Sequence, residues 1–473
     1  MSHVFTMTPA FLSSLGWSGA AGFTAQALRF ATRLLLARVL SPDDFGLFAA
    51  ATTILSLAGL LQNLGLQSPL INEKFQGSRD MAYRGAQGLL FAVAIILALA
   101  LCLAAPVFAN LYGMPGLTSL LRVLSFSLVI TAFMTVPSAA LSRKFRFREL
   151  AVAEVLSLLA FAATSMACGR WGWGPYALVC AQLLSQWLYA SLLLVFSHRG
   201  DHWRFGISSH WSPLRPLFAH GGYSGVNQFL ALTLTQGDNA FIGSRAGATM
   251  LGYYATAYLL GSAAATVVGG VVGRVLYPQL SQHHDNARAF ASSYNLGLQL
   301  SLCITLPFTA LLVMEPHLIV GALFMDKWAP SAMLLPPLAI LGLFRLWNML
   351  ACAAVEAEGA RGAKATALVK LAQVGLMTLC LPAGYRHAET LGASWAMAAV
   401  MASGCCAVAL RLAVARKMTP ARFLKPFLLP SMATLPCVAL ATLCATAWPA
   451  MIMAVTATIA TTAFTLRASQ NWK

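Results

Sequence analysis

The chain has 473 residues, of which 59% are hydrophobic and 10% are charged. Soluble globular domains contain ~25% charged residues, so the composition excludes that class and predicts a protein surrounded by lipid. A net charge of +17 would favour nucleic-acid binding in a soluble protein, but here the cations lie in short gaps between long apolar runs. We therefore predict no nucleic-acid partner and attribute the charge to membrane topology.

Apolar runs of about 20 residues, the length that crosses the hydrocarbon as a helix, recur along the whole chain. The N-terminal residues lack the basic segment and cleavage site of a signal peptide, so we expect the first run to remain a spanning helix. The predicted fold class is an all-α polytopic membrane protein with about fourteen transmembrane helices. In chain order they cover residues 13–37, 45–68, 85–109, 117–141, 150–168, 174–197, 218–243, 251–273, 292–314, 331–355, 365–384, 391–410, 427–446 and 449–466.

The gaps between these runs alternate in charge. Those on one side hold 21 lysines and arginines, and those on the opposite side hold five. Cytoplasmic loops of membrane proteins carry the positive excess, so we expect both termini to be cytoplasmic. The segment "SPDDFG" then lies in an outer turn, where Ser41 or Asp43 is expected to cap the second helix and Pro42 to lie in its first turn.

Several charged side chains lie inside the apolar runs, where each costs about 3 kcal/mol in lipid and should face a bundle interior or water. They are Arg29, Arg33, Arg122, Glu154, Asp238, Arg345 and Lys370. Arg29 and Arg345 lie deepest, and we predict that they face a polar lumen, with a structural ion pair as the alternative. Glu154 and Lys370 lie within about two turns of predicted helix ends, so we expect their side chains to snorkel to the lipid headgroups.

The first helix has one polar face. Gln26, Arg29 and Arg33 are three and four residues apart, so their side chains project from the same side of a helix. The rest of that helix is largely Leu, Ala and Phe, as expected of a surface that contacts lipid or other helices. The pattern predicts that the polar face lines the lumen.

An internal repeat relates the two halves of the chain. A shift of 206 residues aligns residues 37–51 with 243–257 and matches Gly46 to Gly252. Both segments join the first and second helices of a six-helix half, which indicates a parallel repeat about an axis along the membrane normal. The predicted domains are a six-helix lobe at 1–200, a cytoplasmic linker at 201–217, a second six-helix lobe at 218–413, and two further helices with a cytoplasmic tail at 414–473.

The repeat also pairs charged positions of opposite sign. Arg33 corresponds to Asn239, which follows Asp238, and a weaker match at a shift of 216 aligns Glu154 with Lys370. We therefore predict a central cavity between the two halves, with a cation and an anion facing each other across it.

No pattern in the sequence is typical of a metal or cofactor site. The ten cysteines lie in or beside apolar runs without a CxxC pair, and we interpret them as small apolar residues. The nine histidines lie mainly in loops and near helix ends, where solvated side chains are expected. We predict no metal and no cofactor.

Residues 34–74, "LLLARVLSPDDFGLFAAATTILSLAGLLQNLGLQSPLINEK", resemble the opening of the polysaccharide transporter family. This family contains the Wzx-type lipid-linked oligosaccharide flippases of the MOP superfamily, which also includes the MATE exporters. Further similar stretches are "VPSAALSRKFRFRELAVAEVLS", "DNAFIGSRAGATMLGYYATAYLL" and "VLYPQLSQ". The resemblance implies two six-helix lobes around a cavity.

The resemblance also implies an activity. A flippase of this kind moves undecaprenyl-pyrophosphate-linked oligosaccharide repeat units across the bacterial inner membrane by alternating access, for exopolysaccharide or lipopolysaccharide biosynthesis. A xanthan-like repeat unit is one open choice of cargo. The implied partners are this lipid-linked glycan, the bilayer, H⁺ or Na⁺ as a coupling ion, and the polysaccharide polymerase or export machinery.

Lumenal arginines of this family attract anionic cargo, which assigns roles to the charged positions. The substrate-binding candidates are Arg29, Arg33, Arg345 and Gln26, and the coupling or gating candidates are Asp238, Glu154 and Lys370. In this scheme Asp238 pairs with an arginine when cargo is absent or takes up a proton. A simple structural pair is the alternative.

Two other classes of membrane protein are less compatible with the sequence. A MATE-like cation or drug antiporter would need a cavity rich in carboxylates, whereas the apolar runs here hold more arginine than carboxylate. A polysaccharide polymerase or ligase would need a catalytic constellation, usually supported by a large outer loop, and neither is evident. We therefore predict a transporter and not an enzyme.

Overall fold

The computed structural model describes residues 9–63, 70, 79–144, 146–198, 215–282 and 286–415. These ranges fold into α-helices joined by short turns, and they contain no β-strand. The helices are α1 Pro9–Val39, α2 Pro42–Asn63, α3 Arg79–Tyr112, α4 Leu117–Leu124, α5 Phe126–Arg143, α6 Phe147–Arg170, α7 Pro175–His198, α8 Arg215–Gln282, α9 Ala287–Met314, α10 Pro316–Leu323, α11 Ser331–Glu356 and α12 Ala360–Ala415, with a short 3₁₀ turn at Asp326–Trp328. The predicted all-α fold class is confirmed.

The two longest helices are each interrupted once. In α8 the backbone turns at Gly247, whose φ of 82° and ψ of 178° suit glycine. In α12 the interruption lies at Ala388 and Glu389, and Glu389 has a φ of 49°. Both interruptions fall in gaps predicted between apolar runs, so each long helix contains two of the predicted segments.

Nine helical stretches of the described ranges are long and apolar enough to cross a membrane. Each predicted segment as far as residue 410 overlaps a helix of the structure, although α1, with its arginines, is not one of the nine. The last two predicted segments, 427–446 and 449–466, lie outside the described residues. The total of about fourteen helices therefore stays a prediction.

The chain divides into two compact units, residues 1–252 and residues 253–473. In the first unit α6 packs against α1 and α7, and α5 packs against α3 and α7. Alanines such as Ala86 and Ala132 are fully buried in its core, because small side chains let membrane helices approach closely. In the same core the rings of Phe91 and Phe133 meet edge to face, with centroids 4.4 Å apart.

In the second unit α11 packs against α9 and α12. Its core includes Phe290, Tyr294, Leu346 and Leu350, all nearly or fully buried. The indole nitrogen of Trp347 donates a hydrogen bond of 3.2 Å to the Tyr294 hydroxyl. This bond satisfies a polar group that burial would otherwise penalise.

The turn between α1 and α2 has reciprocal capping bonds. The backbone N–H of Ser41 donates to Asp44 Oδ2 at 2.9 Å, and the backbone N–H of Asp44 donates to Ser41 Oγ at 3.2 Å. This is the capping-box arrangement, with an aspartate in the third helical position. Ser41 is therefore the cap, and Asp43 instead accepts a hydrogen bond of 3.1 Å from the Thr249 hydroxyl.

Positions that the repeat makes equivalent lie against each other in the first unit. A methyl group on Gly46 would meet the carbonyl oxygen of Ala248, and a methyl group on Gly252 would meet the carbonyl oxygen of Pro42. Pro42 and Ala248 are separated by the same 206 residues as the two glycines. The start of α2 and the segment after Gly247 thus make a reciprocal contact that only glycine permits.

Candidate functional site

The polar face of α1 carries accessible cations. The side chains of Arg29 and Arg33 are exposed and that of Gln26 is half-buried. Thr32, in the same stretch, is buried and its hydroxyl bonds to the Leu28 carbonyl oxygen at 2.7 Å. The Thr32 hydroxyl is therefore satisfied by the backbone of α1 itself, whereas the two arginine side chains are accessible.

Arg29 forms an ion pair with Glu154 of α6. Its Nη2 donates to Glu154 Oε1 at 2.7 Å, and the two side chains are 51% and 38% exposed. The pair exists because α6 packs directly on α1. Among the described residues Arg33 has no carboxylate partner.

The accessibility of these charges constrains what they face. Arg29 lies ten residues before the end of α1, about 15 Å along the helix axis. Exposed charges at such depth are costly in lipid, and those in membrane helices face water, a polar cavity or one another. We therefore expect this side of α1 and α6 to face a polar space.

A second polar cluster of the first unit lies in the part of α8 that precedes the break at Gly247. The Asp238 carboxylate is fully buried, and its Oδ1 accepts the backbone N–H of Asn239 at 2.8 Å. Nearby, Gln236 Oε1 accepts bonds from Asn239 Nδ2 at 3.1 Å and from the Thr53 hydroxyl of α2 at 3.3 Å. The predicted pairing of Asp238 with an arginine stays a prediction.

In the second unit Arg345 of α11 lies against a tyrosine of α8. Its Nη1 donates to the Tyr258 hydroxyl at 2.6 Å, and its guanidinium carbon lies 5.8 Å from the centre of the same ring. The Arg345 side chain is half-buried. The hydroxyl and the ring both stabilise the cation without neutralising it, because a tyrosine adds no charge.

Lys370 of α12 pairs with a carboxylate near the end of α11. Its Nζ lies 3.7 Å from Glu356 Oε1, and the lysine side chain is 15% exposed. The Thr366 hydroxyl donates to the same Glu356 oxygen at 3.2 Å. Glu358 lies just beyond the end of α11, and its Oε2 is 3.4 Å from Nη2 of Arg411 on α12. The two carboxylates at this end of α11 thus each hold a cation of α12.

The structure separates the candidate residues into groups. Gln26, Arg29, Arg33 and Glu154 lie together on α1 and α6, whereas Arg345 belongs to the second unit. Sequence reasoning missed the partners Tyr258 and Glu356, because each lies on a different helix from its cation. No group of three or more His, Cys, Asp or Glu side chains in the described ranges has metal-binding geometry.

The profile of a protein family described as "Polysaccharide biosynthesis protein" matches residues 35–333. The chain belongs to this family. The match begins within α1, extends into α11 and includes the capped turn at Ser41 and the reciprocal glycine contact. The resemblance that residues 34–74 indicated is confirmed.

Two curated relatives are similar to this chain in sequence. The succinoglycan biosynthesis transport protein ExoT of Rhizobium meliloti (strain 1021) is 27% identical over 322 residues, which is 67% of this chain and 63% of that relative. The chain thus spans less than two thirds of the length of this relative. The lipopolysaccharide biosynthesis protein WzxC of Escherichia coli (strain K12) is 21% identical over 338 residues, covering 71% of this chain and 67% of that relative.

The fold has a solved counterpart. The lipid II flippase MurJ, in an inward closed conformation, superposes with a TM-score of 0.73 and 15% sequence identity, over 95% of this chain and 99% of MurJ. At this identity the likeness shows the fold alone. This member of the family is thus a multi-pass membrane protein that shares the fold of MurJ, and the names of the similar proteins agree with the prediction that it is not an enzyme.

Proposed function

We propose that this protein is a flippase for undecaprenyl-pyrophosphate-linked oligosaccharide repeat units in the bacterial inner membrane. The observation that carries this proposal is the exposed face of α1, where Arg29 and Arg33 stand one helical turn apart. Family membership and the similarity to proteins named for polysaccharide transport and lipopolysaccharide biosynthesis support it.

The cargo chemistry explains why such a face is needed. A diphosphate attached to a hydroxyl-rich glycan cannot enter hydrocarbon without losing its hydration, and unpaired polar groups cost several kcal/mol there. A polar groove along the membrane normal removes that barrier. Arginine binds phosphate oxygens with charge-assisted and often bidentate hydrogen bonds, while the polyprenyl chain remains in lipid.

The proposal assigns roles to the residues of both units. Arg29 and Arg33, with Gln26, bind the diphosphate, and Arg345 is a further cation on the route. Asp238, Glu154 and Lys370 are coupling or gating candidates for H⁺ or Na⁺. The scheme also includes alternating access, the lobes at 1–200 and 218–413, cytoplasmic termini and delivery of the glycan to polymerase or export machinery.

Proteoliposomes containing the full chain test this function. A fluorescent undecaprenyl-diphosphate oligosaccharide is placed in both leaflets, and a membrane-impermeant quencher reports how quickly the inner-leaflet fraction becomes accessible. We expect wild type to accelerate exchange, and Arg29→Ala and Arg33→Ala to lower the rate at least about tenfold, equivalent to 1.4 kcal/mol.

The matched control is Arg38→Ala, which removes an exposed arginine from the last turn of the same helix. It should retain most of the wild-type rate because snorkelling to the headgroups explains its position. If wild type does not accelerate exchange of this lipid, or if the α1 variants exchange it as fast as wild type, the proposed function is wrong. Accumulation of an organic cation by the same vesicles would then favour the exporter alternative.

A further inference from the structure

The ion pair between Arg29 and Glu154 leaves most of the arginine unused. The contact engages Nη2 only, and within the described ranges Arg29 has no other hydrogen-bond acceptor. A guanidinium has five N–H donors arranged as a planar fork. The remaining donors of a side chain that is 51% exposed can therefore reach a ligand without disturbing α1.

Glu154 nevertheless neutralises the charge that a ligand would use. Its side chain is 38% exposed and its Oε1 lies 2.7 Å from Arg29 Nη2, whereas neighbouring Arg33 has no carboxylate partner among the described residues. The two arginines of the face are thus unequal. Arg33 offers an uncompensated cation, and Arg29 offers one that a ligand must compete for.

We propose that Glu154 is a resident counter-ion that the diphosphate of the cargo displaces from Arg29 and that returns to Arg29 when the cargo leaves. This inference rests on the proposed function and adds a release mechanism to it. Phosphate takes the fork of Arg29 in a bidentate contact, which the single bond to Glu154 cannot match. The return of Glu154 restores the pair and thereby lowers the cost of emptying the site, because an unpaired guanidinium in the membrane is unfavourable.

The alternative role for Glu154 is positional, in which the carboxylate only orients Arg29 for the ligand. The two roles predict opposite effects of neutralisation. Removal of a competitor tightens ligand binding, whereas removal of a positioning group weakens it. Exposed ion pairs of this kind are weak, so Glu154→Gln should tighten diphosphate binding about two- to fivefold.

The experiment measures binding and exchange with the full chain. Nanodiscs containing wild type, Glu154→Gln, Glu154→Asp or Arg29→Gln are titrated with fluorescent undecaprenyl diphosphate, and inorganic pyrophosphate is added as a competitor to measure the contribution of the diphosphate itself. Glu154→Gln should bind about two- to fivefold more tightly and exchange the lipid more slowly in vesicles, because release becomes limiting. Glu154→Asp, which keeps the charge, should retain the wild-type affinity, and Arg29→Gln should bind weakly.

Glu149→Gln is the matched control. Glu149 lies on the same helix and pairs with Arg146 at 3.0 Å, so its neutralisation breaks an ion pair that involves neither Arg29 nor Arg33. It should leave the affinity unchanged. The thermal midpoint of every variant is compared with that of wild type, and Glu154→Ala provides a second neutral side chain if the glutamine variant folds poorly.

The outcomes separate this inference from the function on which it rests. Unchanged or weaker binding by both neutral Glu154 variants, with normal binding and exchange by wild type, would overturn the displacement mechanism and leave the flippase standing. The mechanism would also be overturned if inorganic pyrophosphate did not reduce lipid binding, because the diphosphate would then contribute nothing at Arg29. Failure of wild type to bind or exchange the diphosphate lipid would instead overturn the proposed function and the displacement mechanism together.

Discussion

Gly252 lies against Gly46, its equivalent in the repeat: a methyl group added to Gly252 would come within 3.2 Å of the Gly46 backbone nitrogen. The atoms nearest to both glycines are backbone atoms of Pro42 and Ala248, which cannot rotate away as a side chain would. Asp43 and Thr249, linked by a 3.1 Å hydrogen bond, are likewise separated by 206 residues. The two segments that the sequence repeat relates are therefore in contact with each other within the first unit.

Substitution of either glycine tests this contact. Gly46→Ala and Gly252→Ala should each destabilise the protein by about 1–3 kcal/mol, because the new methyl group forces the two segments apart. Gly270→Ala is the control, since that helical glycine has open space around its Cβ position. Thermal unfolding in detergent, followed by tryptophan fluorescence, should show a lower midpoint for Gly46→Ala and Gly252→Ala. The midpoint of Gly270→Ala should not fall in this way.

The helices and the cap were predictable because local physical rules determine them. An apolar run of about 20 residues is expected to cross a bilayer as a helix, because a helix pairs its own backbone N–H and C=O groups. Ser41 followed by Asp44 marks a helix start in the same local way. The breaks at Gly247 and at Glu389 fall where the apolar runs pause, so their positions were predictable although their dihedral angles were not.

The ion pairs were not predictable, because they depend on which helices pack together. Glu154 lies 125 residues from Arg29, and Tyr258 lies 87 residues from Arg345. Distance from a helix end favoured snorkelling for Glu154, yet the packing of α6 on α1 gives its carboxylate a guanidinium partner. Composition determines the presence of intramembrane charges, whereas tertiary packing selects their partners.

The hydroxyl of Tyr258 provides a second test. Tyr258→Phe removes the acceptor that lies 2.6 Å from Arg345 Nη1 but retains the ring beneath the guanidinium. The loss of one hydrogen bond to a charged group should cost about 1.5–3 kcal/mol of stability. Tyr253→Phe is the control, because it also removes a tyrosine hydroxyl but leaves the bond to Arg345 and the ring contact with Trp328 in place. If the two variants have the same thermal midpoint, the bond to Arg345 contributes nothing to stability.

The pair of Lys370 and Glu356 suits a double-mutant cycle. Glu356→Gln leaves a poorly exposed ammonium group without its counter-ion, so it should be more destabilising than the double variant Lys370→Met with Glu356→Gln. The coupling energy should be about 1–3 kcal/mol, measured by chemical unfolding in detergent. Lipid exchange by the double variant then distinguishes the two roles: a folded but inactive protein indicates coupling or gating, and an active one indicates a structural pair.

Asp238 offers a test of ion coupling that preserves local geometry. Asp238→Asn keeps the Oδ1 acceptor for the backbone N–H of Asn239, which lies 2.8 Å away, so the helix should tolerate it. If Asp238 takes up a proton during transport, the wild-type exchange rate should respond to a pH gradient across the vesicle and the variant rate should not. Thr53→Val, which removes a hydroxyl bonded to Gln236 without changing any charge, should keep the response. A variant that responds to the gradient as wild type does would exclude Asp238 as the coupling group, and the same comparison with a Na⁺ gradient tests the other candidate ion.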